Sequence, residues 1–563
     1  MNPVAYLDQL AALQAAAWPA AVPRSATYPH GQQPLSEYLR AWARLQPDSV
    51  ALDFYGHSLS YAELDLQSDR CAALLTELGV RPGDRVAVFM PNCPQLHITF
   101  YAILKCGAVY APVSPLSKAL ELSYQLKDSG AQVLLCFDQL LPVVRAVRDD
   151  CALRHVLASS LSELRPAAPS IPVADLLLAP KISADDCLDF YPALAACTAA
   201  VPSHRPQLDD LAALNYTGGT TGLPKGCMHS HRDMLYTCAS FVPTALGLDR
   251  DSVLLNFLPE FWIAGENAGL LCPVFAGCRL VLLARWDALA FMAAVQHYQV
   301  SHCGLLVDSA AEVLDHPHVG DYDLRSLQRT GSISFIKKLT RDYRARWQAL
   351  SGCRLFEFSF GMTETHTCDT FTWGLQDDDF DLTSAPTFVG LPVPGTQFKV
   401  CDFASGALLP LGSEGELCVR SPALMQGYWQ RPEESAAALK DGWLHTGDLG
   451  QITEQGFIRY LGRRKEMLKV NGMSVFPSEL EALLGQHPAL LASAVIGRPD
   501  AQRGQQPVAF VVLKPGSAED AQTLTAWCRD AMASYKVPEI RVVAALPMTA
   551  TGKVKKNELE NLL

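Results

Sequence analysis

The amino-acid sequence predicts an α/β protein with a large N-terminal domain of layered α/β subdomains, a β-rich unit and a small α+β C-terminal domain. The prediction depends on three changes of pattern. From Ser58 onward, apolar strand-like runs alternate with helical stretches, which is typical of parallel α/β layers. Between residues 389 and 460, glycine and proline are dense between short β-like runs. Beyond Leu461 a charged segment opens a region of about a hundred residues, which is enough for an independent domain.

The composition excludes several classes of protein. A chain of 563 residues exceeds what one hydrophobic core normally serves, so we expect several structural units. Apolar residues at 49% and charged residues at 18% are typical of a globular enzyme and not of a disordered or fibrous chain. The formal net charge of -12 argues against a nucleic-acid partner.

Cysteine usage and the N-terminal segment indicate a cytoplasmic protein. The 17 cysteines are scattered singly, with no C-x-x-C pair and no zinc-like Cys/His spacing, which fits buried thiols in a reducing compartment. Residues 1–23 lack the positive region and the long apolar core of a secretory signal. No segment offers the roughly 18 charge-free apolar residues of a membrane span. We interpret residues 1–34 as a short leading helix and a linker.

The alternation can be divided into elements on either side of a glycine-rich loop. Before the loop, we predict strands at 85–90, 109–113 and 132–137 and helices at 93–106 and 120–128. Residues 161–207 are rich in alanine, proline and serine with weak periodicity, and we predict an irregular connection there.

The elements after the loop continue the pattern. The predicted strands are 253–258, 279–284, 300–306, 354–358 and 415–420, and the predicted helices are 264–276, 287–298 and 337–350. In the C-terminal region the predicted elements are helix 477–484, strands 492–496 and 507–513, and helix 521–533.

The loop itself has the composition of a phosphate-binding loop. Residues 216–226 contain four glycines, three threonines and Lys225, directly after the apolar run 211–214. Glycines let backbone N–H groups approach an anion, the hydroxyls add neutral donors, and the lysine adds a mobile positive charge. The string is not the P-loop of NTPases, because Pro224 precedes the lysine and Gly226 follows it. The alternative is a flexible surface loop.

Four further strings follow in order. They are Phe360-Gly361-Met362-Thr363-Glu364-Thr365, Trp443-Leu444-His445-Thr446-Gly447-Asp448, Gly462-Arg463-Arg464-Lys465 and Pro547-Met548-Thr549-Ala550-Thr551-Gly552-Lys553-Val554. Taken singly, each has an ordinary interpretation: a helix-capping box, a turn, a solvated charged surface and a basic tail, respectively.

Taken together, the five strings resemble the signature motifs of the AMP-forming, adenylate-forming superfamily. That superfamily contains acyl-CoA synthetases, peptide-synthetase adenylation domains and firefly-type luciferases. The resemblance extends from Leu59 to the end of the chain. It implies an N-terminal AMP-binding domain at residues 1–461 and a mobile C-terminal domain at residues 462–563.

The resemblance also implies roles for individual residues. Lys553, Thr363, Glu364 and Lys225 would be catalytic, with Glu364 as the magnesium ligand. The ATP-binding residues would be Thr217, Gly218, Gly219, Thr220, Thr221, Gly222, Lys225, Phe360, Gly361, Thr363, Asp448, Arg463 and Lys553. Asp448 would accept hydrogen bonds from the ribose hydroxyls, Lys465 would be the hinge, and Gly472 would line the thiol channel.

Two positions depart from the pattern of the superfamily. Trp262 stands where relatives commonly have a histidine, so we expect an altered pocket for the acid, formed by Trp262, Gly265 and Gly361. Residues 331–335 replace the Gly/Ala-rich turn that relatives place against adenine. Phe360 stands where many relatives have tyrosine, so ring stacking is kept while a hydroxyl is lost.

The function that the resemblance implies has two half-reactions. A carboxylic acid would react with ATP, in the presence of Mg²⁺, to give acyl-AMP and pyrophosphate, and coenzyme A would then take the acyl group. The resemblance favours a fatty or aryl acid, because the apolar helix 264–276 stands where relatives line the acyl tunnel and residues 261–265 offer no acidic partner for an α-ammonium group. The alternatives are an acyl-AMP ligase that loads a carrier protein and a non-catalytic nucleotide-binding regulator. The oligomeric state stays open.

Overall fold

The computed structural model describes residues 2–217, 223–334, 337–358, 360–384, 387–470, 473–500, 503–532, 534–549 and 553–563, with the backbone alone at Lys465 and Ser474. In these ranges no helix combines the length and the apolar character that crossing a membrane requires. No disulfide joins any of the 17 cysteines, all of which lie in the described ranges.

The strands of the first two sheets come from the N-terminal two thirds of the chain. In chain order they are β1 (Val50–Phe54), β2 (His57–Ser60), β3 (Arg85–Phe89), β4 (Val109–Pro112), β5 (Val133–Phe137), β6 (His155–Ser159), β7 (Leu188–Asp189), β8 (Leu211–Tyr216), β9 (Gly226–Ser230), β10 (Val253–Asn256), β11 (Arg279–Leu282), β12 (His302–Leu306), β13 (Arg329–Ile333) and β14 (Leu355–Glu357).

The remaining strands form two further sheets. They are β15 (Thr370–Phe371), β16 (Phe388–Pro392), β17 (Gln397–Cys401), β18 (Glu414–Arg420), β19 (Leu439–Lys440), β20 (Trp443–Ile452), β21 (Ile458–Arg463), β22 (Leu468–Val470), β23 (Met473–Val475), β24 (Leu490–Asp500), β25 (Gly504–Leu513) and β26 (Glu539–Val542).

The α-helices lie between the strands and at the N-terminus. They are α1 (Pro3–Ala17), α2 (Leu35–Leu45), α3 (Tyr61–Glu77), α4 (Pro94–Lys105), α5 (Ala119–Ser129), α6 (Leu141–Arg145), α7 (Phe190–Ala196), α8 (His231–Phe241), α9 (Ile263–Gly265), α10 (Cys272–Ala276), α11 (Ala288–Tyr298), α12 (Val307–Leu314), α13 (Arg341–Ser351), α14 (Phe380–Thr383), α15 (Pro432–Ala438), α16 (Pro477–Leu484), α17 (Ala521–Ala531) and α18 (Lys556–Glu560).

Two seven-stranded, mainly parallel sheets form the layered α/β part. One has the order β14-β13-β12-β10-β11-β1-β2 and the other β7-β6-β5-β3-β4-β8-β9. Each has one antiparallel edge pair, β1 with β2 and β8 with β9. Both sheets and their helices share a large apolar core in which Tyr38, Phe54, Phe100, Phe275 and Trp347 are fully buried. The parallel layers predicted from the alternation are therefore confirmed.

The predicted β-rich unit is an antiparallel sheet. Its strand order is β15-β16-β21-β20-β18-β17, and β19 pairs with β20. The N-terminal helix α1 packs on this sheet, because Tyr6 and Leu10 lie in one apolar cluster with Phe398, Val400 and Leu417. The leading helix is thus part of the packed structure and not a separate tail.

The C-terminal region has a sheet and an apolar core of its own. The sheet order is β23-β22-β25-β24, with β26 parallel to β25. Helices α16 and α17 contribute Leu480, Leu484 and Leu524 to its core. This is the α+β texture predicted beyond Leu461.

The structure corrects three element predictions. The helix predicted at 337–350 begins at Arg341, because the Thr340 side chain accepts a hydrogen bond from the Tyr343 N–H and caps it there. Residues 161–207, predicted to be irregular, contain β7 and α7. The helix predicted at 264–276 includes a π-helical segment at Glu266–Leu271, and π segments occur frequently at functional sites.

Candidate active site

The predicted phosphate loop connects strands β8 and β9. At its base the Thr217 N–H donates to the Lys225 carbonyl (2.9 Å), and the Lys225 N–H donates to Thr217 Oγ1 (3.2 Å). The Tyr124 hydroxyl donates to the Pro224 carbonyl (2.7 Å) and fixes the returning side. The candidate phosphate-binding residues Gly218, Gly219, Thr220, Thr221 and Gly222 lie outside the described residues. The hairpin base therefore holds Thr217 and Lys225 side by side at the end of a parallel sheet, where ligands commonly bind.

Tyr428 connects the predicted phosphate lysine to the predicted metal ligand. The Lys225 ammonium lies 4.1 Å from the centre of the Tyr428 ring. The hydroxyl of the same tyrosine donates to Glu364 Oε1 at 2.8 Å. Backbone hydrogen bonds hold this segment against β9, including one from the Met228 N–H to the Gly427 carbonyl (3.0 Å). Sequence reasoning missed Tyr428, which lies outside all five strings and is recognisable only from its contacts.

The string at 360–365 does not form a helix-capping box. Residues Thr363–Thr365 make a single 3₁₀ turn whose preceding residue, Met362, makes no side-chain cap bond. Three successive residues, His366, Thr367 and Cys368, then have φ between 55° and 65°. Left-handed non-glycine residues are energetically costly and cluster at functional sites. Of the two interpretations of Glu364, the structure removes the capping one.

Gly361 and Phe360 are held tightly by the same turn. A Cβ at Gly361 would overlap the backbone of Thr367 and Cys368, so packing alone requires glycine at that position. The Phe360 ring is partly buried, with its centre 5.6 Å from that of Tyr460 and 6.2 Å from that of Phe398. The Thr363 carbonyl lies 2.7 Å from His229 Nε2.

The predicted ribose residue is paired directly with the predicted hinge arginine. Asp448 on β20 lies opposite Arg463 on β21, and the Arg463 Nε lies 2.7 Å from Asp448 Oδ1. Burial raises the pKa of Asp448 to about 7, although the nearby guanidinium lowers it. Oδ1 is buried without a hydrogen-bond partner of good geometry among the described residues. A buried acceptor in this state suits an incoming hydroxyl group.

The predicted catalytic lysine belongs to a short C-terminal hairpin. The Lys553 N–H donates to Thr549 Oγ1 (3.0 Å), and Met548 forms a bridge with Val554. Partial loss of hydration lowers the pKa of the Lys553 ammonium, and the positive charge of Arg463 lowers it further. The negative charges of Asp448 and Glu364 raise the same pKa. The lysine nevertheless stays exposed to solvent. The hairpin thus brings Lys553 into electrostatic interaction with residues that precede it by 90 positions or more.

Trp262 and Gly265 lie where the chain leaves β10 for the helical run. Trp262 is half-buried, and its carbonyl accepts a hydrogen bond from the Glu266 N–H (2.8 Å). A Cβ at Gly265 would overlap the Pro259 carbonyl, so this position also needs glycine for packing. The thiol-channel residue Gly472 lies outside the described residues, between β22 and β23.

The helical run after Trp262, which the sequence predicted to be apolar, contains a buried carboxyl group at Glu266. Glu266 is fully buried, accepts a hydrogen bond from Asn215 Nδ2 (2.5 Å) and lies 3.6 Å from His366 Nε2. Burial raises the pKa of Glu266 to about 7 and holds the pKa of His366 well below its ordinary value. Glu260 is equally buried and lies 3.0 Å from His97 Nε2. Both acids flank residues 261–265, and both already have protein partners.

The arrangement defines a class of protein. Lys225 and Glu364 both contact Tyr428, and the charges of Glu364, Asp448 and Arg463 act on Lys553, which is the grouping expected of an enzyme that transfers adenylate. The profile of the AMP-binding enzyme family matches residues 39–429, and that of the AMP-binding enzyme C-terminal domain matches residues 479–553. The chain therefore belongs to the AMP-binding enzyme family, and its predicted resemblance to AMP-forming acyl-CoA synthetases is confirmed.

Curated relatives and solved structures agree with this assignment. The chain is 32% identical to a long-chain-fatty-acid–CoA ligase of Bacillus subtilis over 91% of each chain. It is 32% identical to 4-coumarate–CoA ligase-like 9 of Oryza sativa over 96% of this chain and 94% of that one. The anthranilate CoA ligase AuaEII, solved with anthranoyl-AMP, superposes with a TM-score of 0.82 at 26% identity over 94% of this chain and 97% of that one. For ATP-bound MatB from Rhodopseudomonas palustris the TM-score is 0.76 at 26% identity over 93% and 98%.

Proposed function

We propose that the protein activates a carboxylic acid with ATP to give acyl-AMP and pyrophosphate, and then transfers the acyl group to coenzyme A. The observation that carries the proposal is the convergence of Lys553 with Asp448, Arg463 and Glu364. Asp448 and Arg463 are neighbours on paired strands, whereas Glu364 and Lys553 belong to two other segments of the chain, so the proximity of the three segments is a tertiary feature. The relatives named as CoA ligases support the same reaction.

Different residues would bind the phosphates, the ribose and the adenine of ATP. Lys225 and the loop that begins at Thr217 would bind the phosphates that leave as pyrophosphate, and Asp448 would accept hydrogen bonds from the ribose hydroxyls. Phe360 and Gly361 would contact adenine. Arg463, paired with Asp448, would add positive charge near the ribose and the α-phosphate. Each assignment uses a group whose charge or hydrogen-bonding capacity matches that part of ATP.

Glu364 fits a magnesium ion. Only one of its carboxylate oxygens is bonded to Tyr428, and Mg²⁺ prefers carboxylate oxygens shared with substrate phosphates. When bound there, the ion would neutralise part of the phosphate charge. Tyr428 would orient the carboxylate, and its ring would limit where the Lys225 ammonium can lie.

In the proposed reaction the protein contributes mainly by positioning the substrates and by stabilising negative charge. The Thr363 hydroxyl would donate to the α-phosphate, and the Lys553 ammonium would bind both the attacking carboxylate oxygen and the bridging oxygen. As the bond from the α-phosphorus to the pyrophosphate breaks, negative charge builds on oxygens next to these donors. Preorganised donors of this kind stabilise the transition state without reorganising at the moment of reaction.

We propose a fatty or aryl acid as the substrate. Trp262 presents an aromatic surface at the start of the helical run, where Gly265 lets the chain pack closely against the Pro259 carbonyl. Glu260 and Glu266 are fully buried and each has one carboxylate oxygen paired with a protein group, so an α-ammonium group would have to lose its hydration to reach either of them. All 17 cysteines are unpaired, which supports a reducing cytoplasmic compartment.

Pyrophosphate release from a panel of carboxylic acids, with and without coenzyme A, tests the proposal. We expect release that depends on the acid, together with an acyl-CoA product when coenzyme A is present. Acyl-AMP that accumulates with coenzyme A but disappears with a phosphopantetheinylated carrier protein would instead indicate a carrier-protein ligase. ATP binding without any exchange of labelled pyrophosphate into ATP would indicate a nucleotide-binding regulator.

A further inference from the structure

The β-rich sheet contains a group of metal-binding side chains that the reaction above does not use. Glu416 and Cys418 lie on β18, and His445 lies on β20. Cys418 is directly opposite His445 in the antiparallel pair, and Cys401 on β17 is directly opposite Glu416. Because opposite residues, and residues two apart on one strand, share a face, all four side chains lie on the same side of the sheet.

Three of these side chains converge on one point. Glu416 Oε2 lies 2.7 Å from His445 Nδ1, and the Cys418 sulfur lies 3.6 Å from the same nitrogen. One ligand atom from each of the three residues lies within 4.8 Å of the other two. Carboxylate oxygen, imidazole nitrogen and thiolate sulfur are the three ligand types that zinc takes from proteins. The convergence is a property of the fold, because the linear spacing of these residues is not that of a zinc motif.

The surroundings of the three residues also suit a metal site. Glu416 Oε1 accepts a hydrogen bond from the Gly447 N–H (3.0 Å), which orients the carboxylate and leaves Oε2 toward the cluster. Cys401 and Cys418 lie in the same buried cluster. Such outer contacts fix the orientation of metal ligands and tune their affinity. Leu7 of α1 and the Trp443 ring pack against the two cysteines, which restricts access of water.

We propose that Glu416, Cys418 and His445 form a binding site for Zn²⁺ that is separate from the magnesium site proposed at Glu364. Binding releases the Cys418 thiol proton to solvent, and a neutral His445 ring carries its single proton on Nε2 so that Nδ1 offers its lone pair. The thiolate and the carboxylate together balance the charge of the ion. The fourth position is then open to water or to the Cys401 sulfur.

Zinc binding to the full-length, metal-depleted protein tests the site directly. Titration against a chromophoric chelator should show one tight site in the unmodified protein. Cys418→Ala and Glu416→Gln should each weaken it by about 100-fold or more, since even outer-shell changes cost 10- to 100-fold. Co²⁺ used as a probe should give a thiolate charge-transfer absorption that Cys418→Ala abolishes and Glu416→Gln keeps in weakened form.

Cys197→Ala is the matched control. The Cys197 sulfur lies 3.1 Å from Glu77 Oε2, so it is also a thiol beside a carboxylate, but within the described part of the chain no histidine joins this pair to form a three-ligand cluster. Zinc affinity should not change in this variant. Absence of stoichiometric binding to the unmodified protein would overturn the proposal, as would unchanged affinity in both cluster variants. Thermal unfolding of each metal-free variant shows whether it is folded, and the two cluster variants are independent of each other.

Discussion

At the scale of single residues, we propose different roles for the two carboxylate oxygens of Glu364. One accepts a hydrogen bond from the Tyr428 hydroxyl, and in the proposed reaction the other would bind the metal ion. Glu364→Gln can keep the first contact through its amide oxygen but loses the charge that Mg²⁺ needs. We expect a higher Mg²⁺ requirement and a loss of acyl-AMP formation by about 10²-fold or more. Pyrophosphate release measured across a Mg²⁺ titration checks this.

The control for Glu364 is Tyr428→Phe. This variant keeps the ring beneath Lys225 and removes only the hydroxyl that holds the carboxylate. Its Mg²⁺ requirement should change less than that of Glu364→Gln. A Glu364→Gln protein that unfolds at lower temperature yet retains full activity would show that the carboxylate is structural.

Trp262 is the residue most directly tied to the choice of acid. It is half-buried at the start of the helical run, and replacing it with glycine would open a cavity the size of an indole ring. Trp262→Gly should shift the ratio of kcat/KM values toward bulkier acids, because even one methylene of fit is worth about 1–3 kcal/mol. Phe261→Gly is the neighbouring aromatic control. An unchanged acid profile in Trp262→Gly would place the indole outside the pocket.

The buried Glu266 carboxyl should make stability depend on pH. Its pKa rises from the ordinary 4.5 to about 7 in the folded protein because it is buried. Between these values the folded state holds a proton that the unfolded state has lost, so the free energy of unfolding falls as pH rises. The contribution is at most about 3 kcal/mol, at 1.36 kcal/mol for each pKa unit.

Glu266→Gln removes this titration while its amide oxygen can still accept from Asn215. Relative to the unmodified protein, the variant should gain stability between about pH 5 and about pH 8, as measured by the urea midpoint at each pH. Glu433→Gln, on the exposed surface of α15, should show no such gain. Identical pH dependence in Glu266→Gln and the unmodified protein would mean that the carboxyl is already ionised when folded.

At the scale of elements, glycines on the parallel strands β12 and β13 leave space for the ring of Phe358. Cβ atoms added at Gly331 on β13 or at Gly304 on β12 would overlap the Phe358 ring, which follows β14. Gly331→Ala should lower stability by about 1–3 kcal/mol, as overpacking usually does. Adding Phe358→Leu should recover part of that loss, which thermal unfolding of the single and double variants measures. Additive losses would show that the ring does not limit this position.

The elements also show which local signals can be read from a sequence and which cannot. Strands such as β3 and β5 were predicted within one or two residues because their buried runs are bounded by turns. The start of α13 was wrong by four residues because the Thr340 cap outweighed helix propensity. The π segment after Gly265 was missed, since no composition rule distinguishes it from an α-helix.

At the scale of the whole molecule, the candidate site joins segments that the chain keeps far apart. The five strings, in the order typical of the superfamily, are the basis of the proposed roles of its principal residues. Tyr428, the Glu266–Asn215 contact and the cluster around Cys418 were not predictable in this way. Their significance comes from tertiary neighbours: β18 and β20 bring the cluster around Cys418 together, β9 holds the segment of Tyr428, and β8 places Asn215 beside Glu266.

The last prediction concerns how one small domain serves two half-reactions. Lys553 lies in electrostatic contact with Asp448 and Glu364, the arrangement that adenylation needs. Strands β22 and β23, which flank the proposed thiol-channel residue Gly472, belong to the same domain. We expect the domain to rotate about Lys465, because a hinge concentrates its change of φ and ψ in a few residues. Lys553→Ala should lose acyl-AMP formation by about 10²-fold or more, yet still convert supplied acyl-AMP and coenzyme A to thioester.

Lys465→Pro should give the opposite result. Residues Arg464–Glu466 form a 3₁₀ turn here, and proline is tolerated in the first turn of a helix, so the arrangement that brings Lys553 to Asp448 should survive. The fixed φ of proline should then oppose rotation, so adenylation is kept and thioester formation is lost. Arg464→Ala, one residue earlier, controls for a change in the turn without a fixed dihedral angle. Each half-reaction is measured separately for each variant, and equal loss of both steps in Lys553→Ala and Lys465→Pro would mean one rigid site without a hinge.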